Sequence, residues 1–518
     1  MNPSLERVRP RFGASAPRGA PPDPRGSGPA RRGREICGTA RLCRRGVLAW
    51  LVYLVWLFSP PAHAQSPVQS QVLSPSRASP AAPAETAPPL LVAFGDLRGE
   101  LLPCGCSPDA QFGGLPRREG YWKALLRALP PGTEAPVLVD LGNNFPEPSA
   151  QGRLKIDVIQ PFLGQMPLAA ILPGPNELRL GYATLDAKLP YLVTNNDAPG
   201  AFLSERTIAR QTGRLVILGY LSPDLVYQGS QDRFHLTGVN GELLKRYETI
   251  LARQEARRSV LLFRGSDEEL TRFAASGLFG TIIAGNPSDD ELTAATERRV
   301  AGYRIPQVPT KGQGAIVLTA LGPSAGSPPP AGALAAGNPA RVDLLLEGIP
   351  DGPAALAALK VYDGRVKALF FQEMRGREAG AEDSPYAGAQ ACQPCHQPAF
   401  AIWQASPHAG ALRALDKVGK QFDPECLDCH VAGLNRGGFV SVEKTPGLAG
   451  VQCESCHGPA RRHQSEPERV KLPATRAVGG AHPEESTCRT CHRGAHSPKF
   501  SFADYWPRIQ HSAQAAAR

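Results

Sequence analysis

Between residues 89 and 321 one pattern recurs: a short unbroken apolar run, a loop of glycine and polar residues, then a stretch whose apolar positions fall three or four apart. The runs are PLLVAF (89–94), APVLVDL (135–141), LAAIL (168–172), YLVT (191–194), RLVILGYL (214–221), SVLLF (259–263), GTIIAG (280–285) and GAIVLTAL (314–321). Apolar runs without alternation suit strands covered on both faces, whereas RREGYWKALLRAL (117–129) and GELLKRYETILARQEA (241–256) have helical spacing. Strands alternating with helices predict an α/β body over residues 90–322. A stretch rich in proline, alanine and serine precedes it at 65–89, and 323–386 reads as a linker with one bridging helix near Pro353–Glu373. From 387 to 518 the pattern changes: aliphatic runs are sparse, and the tail is expected to be mostly helical, loop-rich and too poor in apolar side chains to build its own core.

Charge adds a leader. Residues 1–45 hold eleven arginines and three acidic side chains, so +8 of the chain's formal +10 lies there and only +2 beyond. A nucleic-acid partner is therefore not expected. The arginines precede GVLAWLVYLVWLF (46–58), too short to span a bilayer comfortably, and then small residues at Ala62 and Ala64. Residues 1–64 read as a signal peptide that sends the chain to the periplasm. Thiols in such a compartment oxidise unless something occupies them.

Eight of the ten cysteines beyond residue 64 fall in four Cys-x-x-Cys-His motifs: CQPCH (392–396), CLDCH (426–430), CESCH (453–457) and CRTCH (488–492). A zinc site needs no histidine directly after each second cysteine, and a thioredoxin-like pair would not recur four times. Two thiols at this spacing can form thioethers with the two vinyl groups of one haem, leaving the next histidine to bind its iron. Four c-type haems are therefore expected, on Cys392 and Cys395, Cys426 and Cys429, Cys453 and Cys456, and Cys488 and Cys491, with His396, His430, His457 and His492 as iron ligands. Packed porphyrins would supply the apolar interior that the tail lacks. Five further tail histidines, His408, His463, His482, His496 and His511, compete for at most four opposite positions, with His408, His463 and His511 ranked first. Only six residues, Gly458 and Pro459 among them, take the chain from His457 to His463, so His463 is expected to serve a neighbouring haem.

CQPCHQPAFAIWQASPHAGALRAL, DPECLDCHVAGLNRGGF, PGLAGVQCESCHGPARRH and SPKFSFADYWPRIQH resemble the tetrahaem cytochromes of the cytochrome c554 type over roughly residues 387–511. The resemblance implies three haems with two histidine ligands each, His408, His463 and His511 as the distal ones, and one haem with an open or weakly held position. Electron transfer with redox partner proteins follows from it, as does any membrane association by way of such a partner.

The body carries AFGDLRGELLPCGC, LVDLGNN, LPGPNEL, LLFRGSDEE and IIAGNPSDD at the ends of expected strands, where α/β proteins place their sites. Their order resembles the calcineurin-like metallophosphatases and 5'-nucleotidases, which the resemblance implies to bind two metals. Asp96 matches that pattern, but Arg98 stands where a histidine belongs, Asn143 or Asn144 where a bridging aspartate belongs, Asn176 is followed by Glu177, and Arg264 lies in the region of a lone histidine. Two-metal hydrolysis needs several nitrogen and carboxylate ligands. A phosphatase-like domain without phosphatase activity is expected, with Cys104 and Cys106 a structural pair or a redox one. The reading is an exported electron carrier more than a catalyst. Its alternatives are an oxidoreductase using an open haem position on a small nitrogen or oxygen species, and a 5'-nucleotidase-like hydrolase.

Overall fold

The computed structural model describes residues 90–103, 111–198, 202–225, 235–286, 296–322, 340–375, 383–472, 483–493, 497 and 499–511, all within one compact unit. The expected signal peptide and the 65–89 stretch lie outside these residues, as do Cys104, Cys106, His482 and His496. Among the described residues no helix is long and apolar enough to cross a membrane.

The strands are β1 (Leu91–Phe94), β2 (Val137–Asp140), β3 (Leu168–Ile171), β4 (Arg206–Arg210), β5 (Gly213–Leu221), β6 (Arg258–Arg264), β7 (Thr281–Ala284), β8 (Glu297–Val300), β9 (Tyr303–Pro306), β10 (Gly314–Leu318) and β11 (Ala340–Leu344). The body's helices are α1 (Leu115–Arg127), α2 (Ala150–Gln165), α3 (Pro175–Arg179), α4 (Gly241–Arg253) and α5 (Asp267–Ser276), followed by the long α6 (Pro353–Arg375). One sheet runs β11-β10-β1-β2-β3 with β1, β2 and β3 parallel; a second runs β4-β5-β6-β7 with β5, β6 and β7 parallel; β8 and β9 form a hairpin.

The two-residue period of a strand decides the layering. Leu91 and Ala93 of β1 meet Leu215 and Ile217 of β5 and Val260 and Leu262 of β6 between the sheets. Their neighbours Val92 and Phe94 turn the other way, onto Trp122 of α1, Ile159 of α2 and Leu359 of α6. On the far side of the second sheet, Leu261 and Phe263 pack on Tyr247 of α4 and Phe273 of α5. The result is a sandwich of helices, sheet, sheet and helices, and the doubly covered strands are why the runs read as continuously apolar. At about 1.5–3 kcal/mol for each large apolar side chain taken from water, these layers hold most of the body's driving force.

Two expectations shift. YLVT is buried but makes only isolated bridges, Tyr191 with Ile171 and Leu192 with Leu203, because the second sheet begins elsewhere. Residues 323–386 are also more than a linker: β11 extends the first sheet, and α6 lies on α1 and α2 through Ala355, Leu359, Tyr362 and Val366. At its far end α6 buries Phe370 and Met374 among Tyr386, Leu427 and Phe439 of the tail. One helix is thus shared by both cores.

The tail consists of short helices: α7 (Ala389–Cys392), α8 (Gln397–Ala405), α9 (Ala411–Asp416), α10 (Pro424–His430), α11 (Cys453–His457), α12 (Arg461–Ser465), α13 (Pro483–Arg489) and α14 (Phe502–Tyr505).

Candidate functional site

Each Cys-x-x-Cys-His motif forms about one helical turn. The amide of His396 donates to the carbonyl of Cys392 at 2.9 Å, that of His492 to Cys488 at 2.8 Å, and the second and third motifs lie in α10 and α11. A turn puts residues i, i+3 and i+4 on one side, so the two sulfurs and the imidazole of a motif share a face. Between motifs, the thiol of Cys392 lies near that of Cys453, and that of Cys429 near that of Cys491. Burial pushes the Cys456 thiol up to about 11.

Three of the motif histidines face a histidine from elsewhere in the tail. Ring centres are 6.2 Å apart for His396 and His463, 6.1 Å for His408 and His492, and 5.8 Å for His457 and His511. Two imidazoles sharing one metal ion, at about 2 Å per metal–nitrogen bond, have ring centres roughly 6 Å apart. The outward ring nitrogens are engaged: Nδ1 of His463 lies 2.6 Å from the carbonyl of Val470, Nδ1 of His492 2.9 Å from Oγ of Ser497, and Nδ1 of His511 2.9 Å from the carbonyl of Ile509. Such a bond fixes the ring and leaves Nε2 for a metal. Burial lowers the pKa of His408, with His492 adding to it, and burial lowers that of His492, favouring the neutral imidazole that a metal ligand must be. His430 is the exception. Its Nδ1 lies 2.7 Å from the carbonyl of Ala411, and among the described residues no histidine ring faces it.

Several residues that hold this arrangement carry no signal in the sequence pattern. Glu454, a spacer inside the third motif, is buried and accepts from the amides of Ala387 (2.8 Å), Gly388 (2.7 Å) and Ala460 (2.7 Å). Its neighbour Gln452 accepts from the amide of Ala389 at 3.0 Å, and Nε1 of Trp403 donates to the carbonyl of Val451 at 2.7 Å. First and third motifs are thereby tied together. The second is tied to the α/β body. Asp423, which caps α10, accepts from Nε2 of Gln151 at 2.7 Å; Nζ of Lys155 donates to Oε2 of Glu425 at 2.7 Å; Nζ of Lys420 donates to Asp363 of α6 at 2.6 Å. Asp423 followed by Pro424 is the sequence sign of such a cap, but nothing marks Gln151 or Lys155 as partners.

In the body, the loops after β1, β2 and β3 converge with Arg264 at the end of β6. Asp96 is fully buried; Oδ1 accepts from Nδ2 of Asn143 at 2.7 Å and lies 3.4 Å from the Arg264 guanidinium, while Oδ2 has no partner. Arg264 also donates to the carbonyls of Leu141 and Gly142. Burial raises the Asp96 carboxyl against the pull of Arg264 and Arg98. Burial pushes the Glu177 carboxyl up to about 7, although it accepts from the amides of Asn144 at 2.6 Å and Gly174 at 3.1 Å. Asp96, Arg98 and Asn143 have positive φ (55°, 51° and 56°), a cost of about 1–3 kcal/mol each that the surrounding pairing must hold in place. Gly142 (φ 61°) is compulsory, because a Cβ there would lie 2.1 Å from the carbonyl of Leu172. The centre of this cluster holds a fixed cation of the chain's own, and among the described residues no group of three or more histidine, cysteine, aspartate or glutamate side chains is arranged to hold a metal ion.

Comparison with known proteins matches residues 391–458 to the family described as cytochrome c554 and c-prime. Cytochrome c-554 of Nitrosomonas europaea is 34% identical over 119 residues, 20% of this chain and 50% of that protein, so the chain spans about half the length of the curated relative it matches. Among solved structures, a 5'-nucleotidase precursor from Thermus thermophilus is similar at a TM-score of 0.41 and 17% identity, over 54% of this chain and 59% of its own. The sulfate thiohydrolase SoxB of the same organism is similar at 0.44 and 14%, over 55% and 61%. Likenesses that distant carry no weight for the body's chemistry.

Proposed function

We propose that this protein is an exported multihaem c-type cytochrome that carries electrons through four covalently attached haems, delivered to the periplasm by residues 1–64, with the α/β body docking or positioning the cytochrome and not hydrolysing phosphate esters. The observation that carries the reading is the set of three facing histidine pairs, each combining one motif histidine with one of His408, His463 and His511. The donor set fits c-type haem: two sulfurs and an imidazole on one side of a helical turn, and a second imidazole, in His463 and His511 already anchored through Nδ1, about one metal's width away. Cys392 and Cys395, Cys426 and Cys429, Cys453 and Cys456, and Cys488 and Cys491 would hold the four groups, with His396, His430, His457 and His492 beneath them. Bound haem supplies one-electron redox chemistry at its iron. The chain's part is to fix ligand identity, keep water off the rings and set the spacing between neighbours. Redox partner proteins are the implied partners.

The test is intact mass and absorbance of protein matured in a host that exports and attaches haem. Four haems are expected. His463→Ala should keep all four attached while converting one low-spin iron to high-spin, read by electron paramagnetic resonance; a colourless chain with the bare polypeptide mass overturns the reading.

A second reading is favoured by His430. With no ring opposite it among the described residues, the haem on Cys426 and Cys429 would have a free position for a small nitrogen or oxygen species. One high-spin signal in the unmodified protein, shifted by added cyanide, supports this reading.

A further inference from the structure

We propose that the α/β body positions and electrostatically tunes one haem, the second, by gripping the start of the helix that carries Cys426, Cys429 and His430. This rests on the haem assignment above. Asp423, the cap of α10, receives a hydrogen bond from Gln151, whose Nε2 also lies 3.0 Å from the hydroxyl of Tyr362 in α6. Two residues on, Glu425 takes Nζ of Lys155, whose side chain is 9% exposed whereas that of Glu425 is 51% exposed. Gln151 and Lys155 lie one turn apart on α2, so a single face of a body helix meets the first turn of α10. The gripped motif is the one whose histidine faces no other among the residues described.

Geometry assigns two roles to this contact. Gln151 and Tyr362 fix the cap and hence the direction in which α10 presents its sulfurs and imidazole. Lys155 places a buried positive charge at that end of the helix, balanced by the carboxylate of Glu425. Burial opposes the Lys155 charge, but Glu425, with Glu100 and Asp423, more than restores it, so the ammonium persists at neutral pH. A cation stabilises the reduced iron, which carries one electron more, and an anion does the reverse; both effects are strengthened where water is excluded. Cutting the pair from its two ends must then move the second haem in opposite directions.

The experiment is a potentiometric titration of the full-length haem-loaded protein, following the high-spin signal separately from the low-spin ones. Lys155→Met, which leaves the Glu425 carboxylate unbalanced, should lower the midpoint of the high-spin haem, and Glu425→Gln should raise it. Each change should be about threefold in the reduction equilibrium, or about 30 mV for one electron, with Lys155→Arg restoring the native value and the low-spin haems unmoved. A purely structural contact would shift both variants the same way or broaden every signal. Shifts of equal sign, no shift, or equal shifts in all four haems overturn the inference and leave the cytochrome assignment standing. Fewer than four haems overturns that assignment and the inference with it; four haems with no high-spin iron overturns the open position at His430 and the inference, and leaves the electron-carrier assignment standing.

Discussion

Arg264 and Glu177 illustrate how the chain's own groups hold a buried charge. The sequence already led to the expectation of arginine at 98 and 264 and asparagine at 143 or 144 where metal ligands would stand. What the letters did not reveal is that the guanidinium would turn inward to Asp96 and to the carbonyls of Leu141 and Gly142, because that geometry depends on three left-handed residues whose pairing is set by strands far apart in sequence. Glu177 carries the measurable consequence. Its carboxyl rises to about 7 from an ordinary 4.5, so the folded chain holds that proton more tightly than the unfolded one. Its contribution to stability is therefore complete below about pH 4.5 and is lost as the pH climbs through 7, by at most about 3 kcal/mol. Glu177→Gln should flatten this fall, seen as urea midpoints by circular dichroism that differ less between pH 5 and pH 8 than in the parent protein.

At the scale of single elements, legibility tracked burial. Strands β1, β5 and β6 and helices α1 and α4 stand where unbroken runs and helical spacing put them, since both of their faces, or one whole face, are covered. Strands β4, β8, β9 and β11 went unseen because RTIAR, ERRV, YRIP and ARVDL are half-exposed and charged, and their pairing is decided by neighbours. In the tail, the motif spacing gave the turns, but the two positions inside each motif read as filler. Glu454 in α11 is not filler. Glu454→Ala would leave three buried amides without an acceptor, at about 1–3 kcal/mol each, so stability should fall by at least about 3 kcal/mol. Haem content, read by intact mass, should drop from four toward two as the first and third motifs part, and Glu454→Gln, which keeps an acceptor, should lose less.

For the molecule as a whole, the division into body and tail was plain in composition, yet the join was not. A helix bridging two regions was expected where α6 runs, but not one shared by both cores, since alanine-rich helices read alike whether they bridge solvent or belong to two cores. Phe370 and Met374 decide the matter, closing the tail's apolar cluster from a helix whose other half lies on α1 and α2. Body and tail should therefore unfold together, with circular dichroism and the haem absorbance band changing at the same urea concentration. Phe370→Ala, at a cost of about 3–5 kcal/mol, should separate the two curves, with the haem band moving first. The contacts of Gln151 and Lys155 with α10 act across the same join, and two ordinary surface letters gave no notice of them.

The sulfur contacts between motifs bear on the protein's birth. Cys392 lies near Cys453 and Cys429 near Cys491, so an oxidant meeting the bare polypeptide would favour linking the first motif to the third and the second to the fourth. On the function proposed above, porphyrin ligation would then race against cross-linking, and a supply of electrons that keeps those thiols apart would be as much a part of making this protein as the pigment itself.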